Sequence, residues 1–298
     1  MPSDPRQFVL SPAVYGLPTR DDLVKFRIWD LHYHGFFGGG MKQHLENLFY
    51  VERMGIERML SVDIAGTAAD PLGMKLTDDQ KRDFREYLEK NSDRISGLIP
   101  IDPGQPIESC RKMEEWIGKG PCIGIKFYGG NPTGTVCSHP NTDAIIRLAA
   151  DMKAIIYIHT WLKIGGTPRR PGGEFERGES TPMDVAKLAE RFPEVPLICG
   201  HSGGDWELGV RAVRRHENVY IEFSGSDPHS GQVDYTASEI GVPRLIWGGH
   251  GPSRSYSTEL SKVLDADLTH DDRLKVFGGN LRRLAAPIFR QKGYPIDV

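Results

Sequence analysis

The chain reads as an α/β protein of the (β/α)8, TIM-barrel class, and three observations carry that reading. Eight short runs of branched and apolar residues alternate with helix-like segments along the 298 residues. Three of these runs lead straight into histidine, and barrel enzymes collect their chemistry at the carboxyl ends of the strands. The first run is not followed by the glycine turn of a dinucleotide fold, which disfavours a doubly wound open sheet. Parallel strands joined by right-handed crossovers then close into one barrel.

The first strand spans residues 26–31 and precedes a glycine-rich loop and a helix over 42–54. Residues 58–64 form the second strand, and the helix over 78–91 starts with Thr77 and Gln80 at capping-box spacing. Strand three covers 95–101; Pro106 suits the first turn of the next helix, where a missing N–H costs nothing. Strand four covers 122–127 with a helix over 141–151, and strand five covers 154–158. A Gly-, Pro- and Arg-rich loop over 160–180 follows, long enough to read as a lid or substrate wall. Thr181-Pro182 opens a helix that ends at 191. Strand six covers 196–199 with a helix over 205–215; strands seven and eight cover 219–223 and 245–248, with no helix assigned between them. Helices over 257–264, 271–277 and 280–289 close the chain. No repeat or linker divides it, so 1–298 reads as one domain, with the proline-rich 1–25 as an N-terminal extension.

Hydrophobic residues at 39% and charged residues at 26% supply a sizeable core and a soluble surface. A net charge of −3 without a basic cluster argues against nucleic acid and leaves a small molecule as the expected partner. Cys110, Cys122, Cys137 and Cys199 have no short paired spacing, so they read as reduced thiols of a cytoplasmic protein. No secretory leader and no membrane span is expected. Association of several copies stays open.

His32 and His34 lie two apart in Asp30-Leu31-His32-Tyr33-His34 and therefore project from one face of a strand. His159 closes the fifth strand and His201 the sixth. Histidines at three strand ends of one polarity are hard to explain by packing, but they form a natural site for a borderline divalent ion such as zinc.

The His-x-His pair, His159, His201, the segment from Thr181-Pro182 to Gly203-Gly204-Asp205-Trp206, and Gly278-Gly279-Asn280-Leu281-Arg282-Arg283-Leu284 resemble the amidohydrolase superfamily. The likeness is to the amidohydrolase-2 branch, which includes aminocarboxymuconate-semialdehyde decarboxylase and lactonases, and it runs from Trp29 to Leu284. It implies that His32, His34 and His159 bind one divalent metal and that His201 is the base or polariser beside it. The family also expects an aspartate after strand eight. Here Gly248-Gly249-His250-Gly251-Pro252 brings His250 instead, as a fourth ligand or a proton relay.

Lys126 ends strand four; in dinuclear relatives a carboxylated lysine bridges two metals there, whereas a plain ammonium facing a substrate carboxylate is the preferred reading here. Trp161 and Arg254 are further substrate-contact candidates, and the pair Arg169 and Arg170 could clamp an organic acid. Asp227 could supply a carboxylate or merely form an Asp-Pro turn; Asp63 and Asp102 read as solvated or turn-forming, and Glu222 as an ion-pair member. The expected activity is metal-dependent hydrolysis of a small lactone, ester or amide. Non-oxidative decarboxylation is the alternative, and a catalytically impaired descendant the third reading.

Overall fold

Eight parallel strands follow one another in chain order through one sheet. The computed structural model describes residues 18–36, 40–162, 176–225 and 229–298. The strands are β1 (Ile28–Tyr33), β2 (Ile56–Ser61), β3 (Ile95–Ile101), β4 (Gly124–Phe127), β5 (Ile155–Ile158), β6 (Leu197–Cys199), β7 (Val219–Glu222) and β8 (Leu245–Ile246). Leu31 N–H donates to Trp247 O at 3.4 Å, which brings β1 back to the end of β8 and all but closes the barrel. The helices are α1 (Arg20–Lys25), α2 (Gly40–Arg53), α3 (Asp78–Lys90), α4 (Pro106–Met113), α5 (Thr142–Asp151), α6 (Pro182–Arg191), α7 (Trp206–Val213), α8 (Gln232–Ile240), α9 (Tyr256–Leu264), α10 (His270–Leu274) and α11 (Asn280–Lys292). No described helix is long and apolar enough to cross a membrane.

Strand residues are buried on both faces because helices cover the outside and side chains fill the inside. Alternation along β1 sends Ile28, Asp30 and His32 to one face and Trp29, Leu31 and Tyr33 to the other. At the end of the barrel away from the histidines, the Arg58 guanidinium lies 5.0 Å from the ring centres of both Trp29 and Phe289. It also donates to the carbonyls of Ser92 and Asp93 and to Ser96 Oγ, so a buried charge closes that end with its donors satisfied.

Three departures from the sequence expectation have clear causes. Phe26 caps α1 and Arg27 takes a left-handed φ of 51° while pairing with Glu57 and Asp297. The strand therefore starts at Ile28 and extends to Tyr33. Arg20–Lys25, inside the stretch read as an extension, is a helix with a Thr19–Asp22 capping box and a buried Leu23. Helix α8 carries no apolar stripe, since its buried positions are Gln232, Val233, Thr236 and Ile240. Half of that face is polar, so hydrophobic periodicity did not mark it.

The loop after β2 is pinned from α4. Lys112 is buried, and its Nζ donates to Ala65 O and Pro71 O at 2.6 Å each. Burial pushes its pKa down from 10.5 to about 7. Between those values the unfolded chain binds the proton and the folded chain does not, so stability rises with pH across this window. Below it the penalty for burying the ammonium is fully present. Chemical denaturation at pH 7 and 9 should show the wild type gaining on the order of 2 kcal/mol relative to Lys112→Met. Equal pH dependence in both proteins would contradict the assignment.

Candidate metal centre

The carboxyl ends of β1, β5, β6 and β8 bring five imidazoles together. His32 ring centre lies 4.7 Å from His34, 4.9 Å from His201 and 4.3 Å from His250. His159 joins through His201, with ring centres 4.5 Å apart. His201 and His250 both sit at left-handed φ, 59° and 49°. For non-glycine residues this costs on the order of 1 kcal/mol each and commonly marks a functional constraint. Gly225, itself at φ 72°, makes room for them, because a Cβ there would lie 2.7 Å from His250 Cδ2 and 3.0 Å from His201 Nδ1.

The partners of the rings fix their tautomers. Tyr157 OH donates to Glu222 Oε2 at 2.8 Å, so its oxygen accepts from His32 Nδ1–H, also at 2.8 Å. His34 Nδ1–H donates to Asp63, 3.0 Å from Oδ1, and Tyr128 OH donates to the same carboxylate at 2.8 Å. His201 Nδ1–H donates to Ser224 O at 2.6 Å. Glu222 is fully buried and also accepts from the backbone N–H groups of Ser224 and His201, which ties β7 to the turn after β6. Asp30 Oδ1 accepts from His32 N–H and Gly249 N–H, at 2.9 and 2.6 Å, and so holds the β8 turn against β1.

Burial is the largest cause of the shifts here. It pushes His32, His159, His201 and His250 well below the ordinary histidine range, with the Lys126 charge adding to the effect. It raises Glu222, and it holds Asp30 up at about 7. Lys126 is lowered by the same desolvation, against the pull of Glu222 and Asp63.

These residues fit a divalent ion. With both Nδ1 atoms committed as donors, the Nε2 atoms of His32 and His34 face each other as lone pairs, 2.8 Å apart. A cation between them would relieve that contact, as the Lys126 ammonium 3.2 Å from His32 Nε2 does in part, and two nitrogens on one ion at about 2.0–2.1 Å lie roughly 3 Å apart. The donor atoms of His32, His34 and His250 lie within 4.8 Å of one another, as do those of His32, His201 and Glu222. The carboxylate behind His34 and the phenol behind His32 are the supporting bonds that orient metal-binding imidazoles.

Of the residues singled out from sequence, His32, His34, His201, His250 and Lys126 converge on this point. Lys126 Nζ lies 3.2 Å from His32 Nε2 and 3.9 Å from the Tyr157 ring centre. His159 stands to one side: its Nδ1 is 3.0 Å from His201 Nε2 and its Nε2 is 2.9 Å from Glu179 Oε1. Trp161 lies 5.8 Å from His201, ring to ring, and exposed Arg254 reaches Gly225 O at 3.3 Å. Asp63 is not solvated but buried behind His34, and Asp102 is buried in a turn that accepts from Gly104, Gln105 and Thr133. Glu222 is a hydrogen-bond hub with no lysine or arginine partner among the described residues. Asp227, Arg169 and Arg170 lie outside the described residues. Sequence reading missed Asp30 and Tyr157, although they stand two residues before His32 and His159; it missed Ser224 in the turn after β7, and Glu179 because nothing local links it to His159.

A histidine-lined centre at the strand ends of a (β/α)8 barrel defines the class as a barrel protein with a candidate metal centre. The amidohydrolase family profile matches residues 31–284, and the chain belongs to that family. No curated protein matches the sequence. Among solved structures, the 2,6-dihydroxybenzoate decarboxylase from Rhizobium is similar with a TM-score of 0.66 at 15% identity, covering 87% of this chain and 98% of that one. The dihydroxybenzoic acid decarboxylase from Polaromonas sp. JS666, with bound manganese and the inhibitor 2-nitroresorcinol, gives 0.65 at 16%, over 87% and 96%. The 5-carboxyvanillate decarboxylase from Sphingomonas paucimobilis gives 0.61 at 17%, over 81% and 82%. At such identities the likeness is one of fold.

Proposed function

We propose that the chain is a metal-dependent enzyme that removes CO2 from a small aromatic or otherwise conjugated carboxylic acid. One observation carries this reading: the buried Lys126 ammonium lies 3.2 Å from His32 Nε2, a cationic seat for a carboxylate beside the histidines that could share an ion. Hydrolysis needs a base for the proton of water. Loss of CO2 needs a cationic seat for a carboxylate and a proton donor for the carbon left behind. The named structural neighbours, all decarboxylases, support the same choice.

His32, His34 and His250 would hold the ion, and their nitrogen donors suit zinc. When bound, the ion supplies positive charge for the substrate's oxygens. Lys126 binds the substrate carboxylate as a point charge, Trp161 forms a wall beside His201, and Arg254 attracts the acid at the rim. As the C–C bond to the carboxylate breaks, its electron pair stays on the ring carbon, which takes a proton that His201 Nε2 has first accepted from solvent, while Nδ1–H stays on Ser224 O. Hydrolysis of a lactone or ester is the second reading, favoured by the Asp63–His34 pair, since a carboxylate-backed imidazole is a competent base.

The deciding experiment is a panel of hydroxybenzoates and lactones with manganese- and zinc-loaded protein in D2O. The expected result is CO2 release with one deuterium on the ring carbon. Lactone opening without CO2 release would replace the reading with hydrolysis; metal retention without turnover on either class would favour a ligand-binding descendant. Lys126→Met should raise KM about 10-fold or more while leaving metal content unchanged, because it removes a charge-assisted contact and no ligand. A loss of metal in this variant, or an unchanged KM, would contradict the role.

A further inference from the structure

Asp63 and Glu179 stand in matching positions. Each is a buried carboxylate behind one of the more open imidazoles, with side-chain exposures of 2% for Asp63 against 16% for His34, and 5% for Glu179 against 21% for His159. The buried rings of His32 and His201 are instead held by a phenol and a peptide carbonyl. Asp63 comes from the end of β2, next to His34. Glu179 comes from the far side of the long loop after β5, twenty residues beyond His159.

Its position is fixed by backbone contacts. Thr160 and Ser180 form a parallel bridge, and Trp161 N–H donates to Ser180 O at 3.0 Å. Ser180 Oγ accepts from Cys137 N–H at 3.0 Å, and Glu179 Oε2 accepts from Glu176 N–H at 3.3 Å. The other oxygen, Oε1, is 2.9 Å from His159 Nε2. Space for this contact depends on Gly129 at the end of β4, where a Cβ would lie 2.6 Å from that nitrogen.

We propose that Glu179 is a positioning residue of the site, which orients His159 and supplies on the β5 side the negative charge that the β8 position, held by His250, does not bring. A carboxylate at Nε2 makes that nitrogen the donor and leaves the His159 Nδ1 lone pair facing the unprotonated His201 Nε2, 3.0 Å away, as the lone pairs of His32 and His34 face each other. A further anion beside the five imidazoles also raises the affinity of the centre for a divalent cation. The inference rests on the metal-centre part of the proposed function and not on the choice of reaction.

The test uses the full chain with Glu179→Gln, Glu179→Asp and, as control, Glu190→Gln on the exposed face of α6. Competition against a chelator should show metal affinity about 10- to 100-fold weaker in Glu179→Gln, largely recovered in Glu179→Asp and unchanged in Glu190→Gln. In metal-free protein labelled with 15N-histidine, His159 should be the Nε2–H tautomer in the wild type and should lose that preference in Glu179→Gln. Wild-type metal affinity and an unchanged His159 tautomer in Glu179→Gln would overturn the proposal whatever substrate the enzyme uses. So would equal losses in the Gln and Asp variants, which would mark Glu179 as a packing residue.

Discussion

His32→Ala is expected to empty the metal centre and to lower turnover by at least ~10³-fold, since both the ion and the residues it organises are lost. His32 is the ring that every part of the site shares. Its Nε2 meets His34 and Lys126, its Nδ1 meets Tyr157 and Ser224, and it belongs to both groups of residues able to share an ion. Removing the ring also leaves the Lys126 ammonium without its imidazole partner, so a lower melting temperature should accompany the loss of metal. Metal content by mass spectrometry on folded protein, with circular dichroism as the control for folding, decides the matter. Full occupancy in His32→Ala would put the ion elsewhere and would remove the mechanism proposed above.

The second large effect concerns His250. Its ring centre is 4.3 Å from His32, 4.8 Å from His34 and 5.2 Å from His201, so its removal takes away a ligand or relay and opens the centre at once. His250→Ala should lower turnover by at least ~10²-fold, the scale of a lost acid–base group. The backbone at φ 49° adds a smaller penalty for alanine, which aspartate and asparagine tolerate better. His250→Asn, similar in backbone preference but unable to supply an imidazole, separates the two effects. His250→Asp adds a negative charge and should tighten the hold on a divalent cation. If it also creates lactone hydrolysis, the imidazole at this position is what keeps water chemistry out. If it lowers CO2 release without new hydrolysis, His250 belongs to the decarboxylation itself. Wild-type turnover in His250→Ala and His250→Asn would exclude any role for the ring.

The barrel was legible because its signals are local and repeated. Short branched runs such as Ala154-Ile155-Ile156-Tyr157-Ile158 and helix starts such as Thr77 to Gln80 each show their structure within a few residues. The histidine cluster was legible for a related reason: strand alternation puts His32 and His34 on one face, and parallel strands bring His159, His201 and His250 to the same end. Helix α8 was not legible, because its buried Gln232 and Thr236 read as surface residues.

By itself, then, the chain determined the barrel and the five histidines gathered at one end of it, since each follows from residue type and strand period. Tertiary structure alone decided which nitrogen of each ring faces inward, and with it the grouping of His32, His34 and His250 apart from His159. Those choices rest on contacts between residues far apart in sequence: Asp63 with His34, Tyr157 with His32 and Glu222, and Lys126 with His32. A strand pattern says which way a side chain points, but the tautomer of an imidazole depends on the hydrogen-bond partner that folding brings to it.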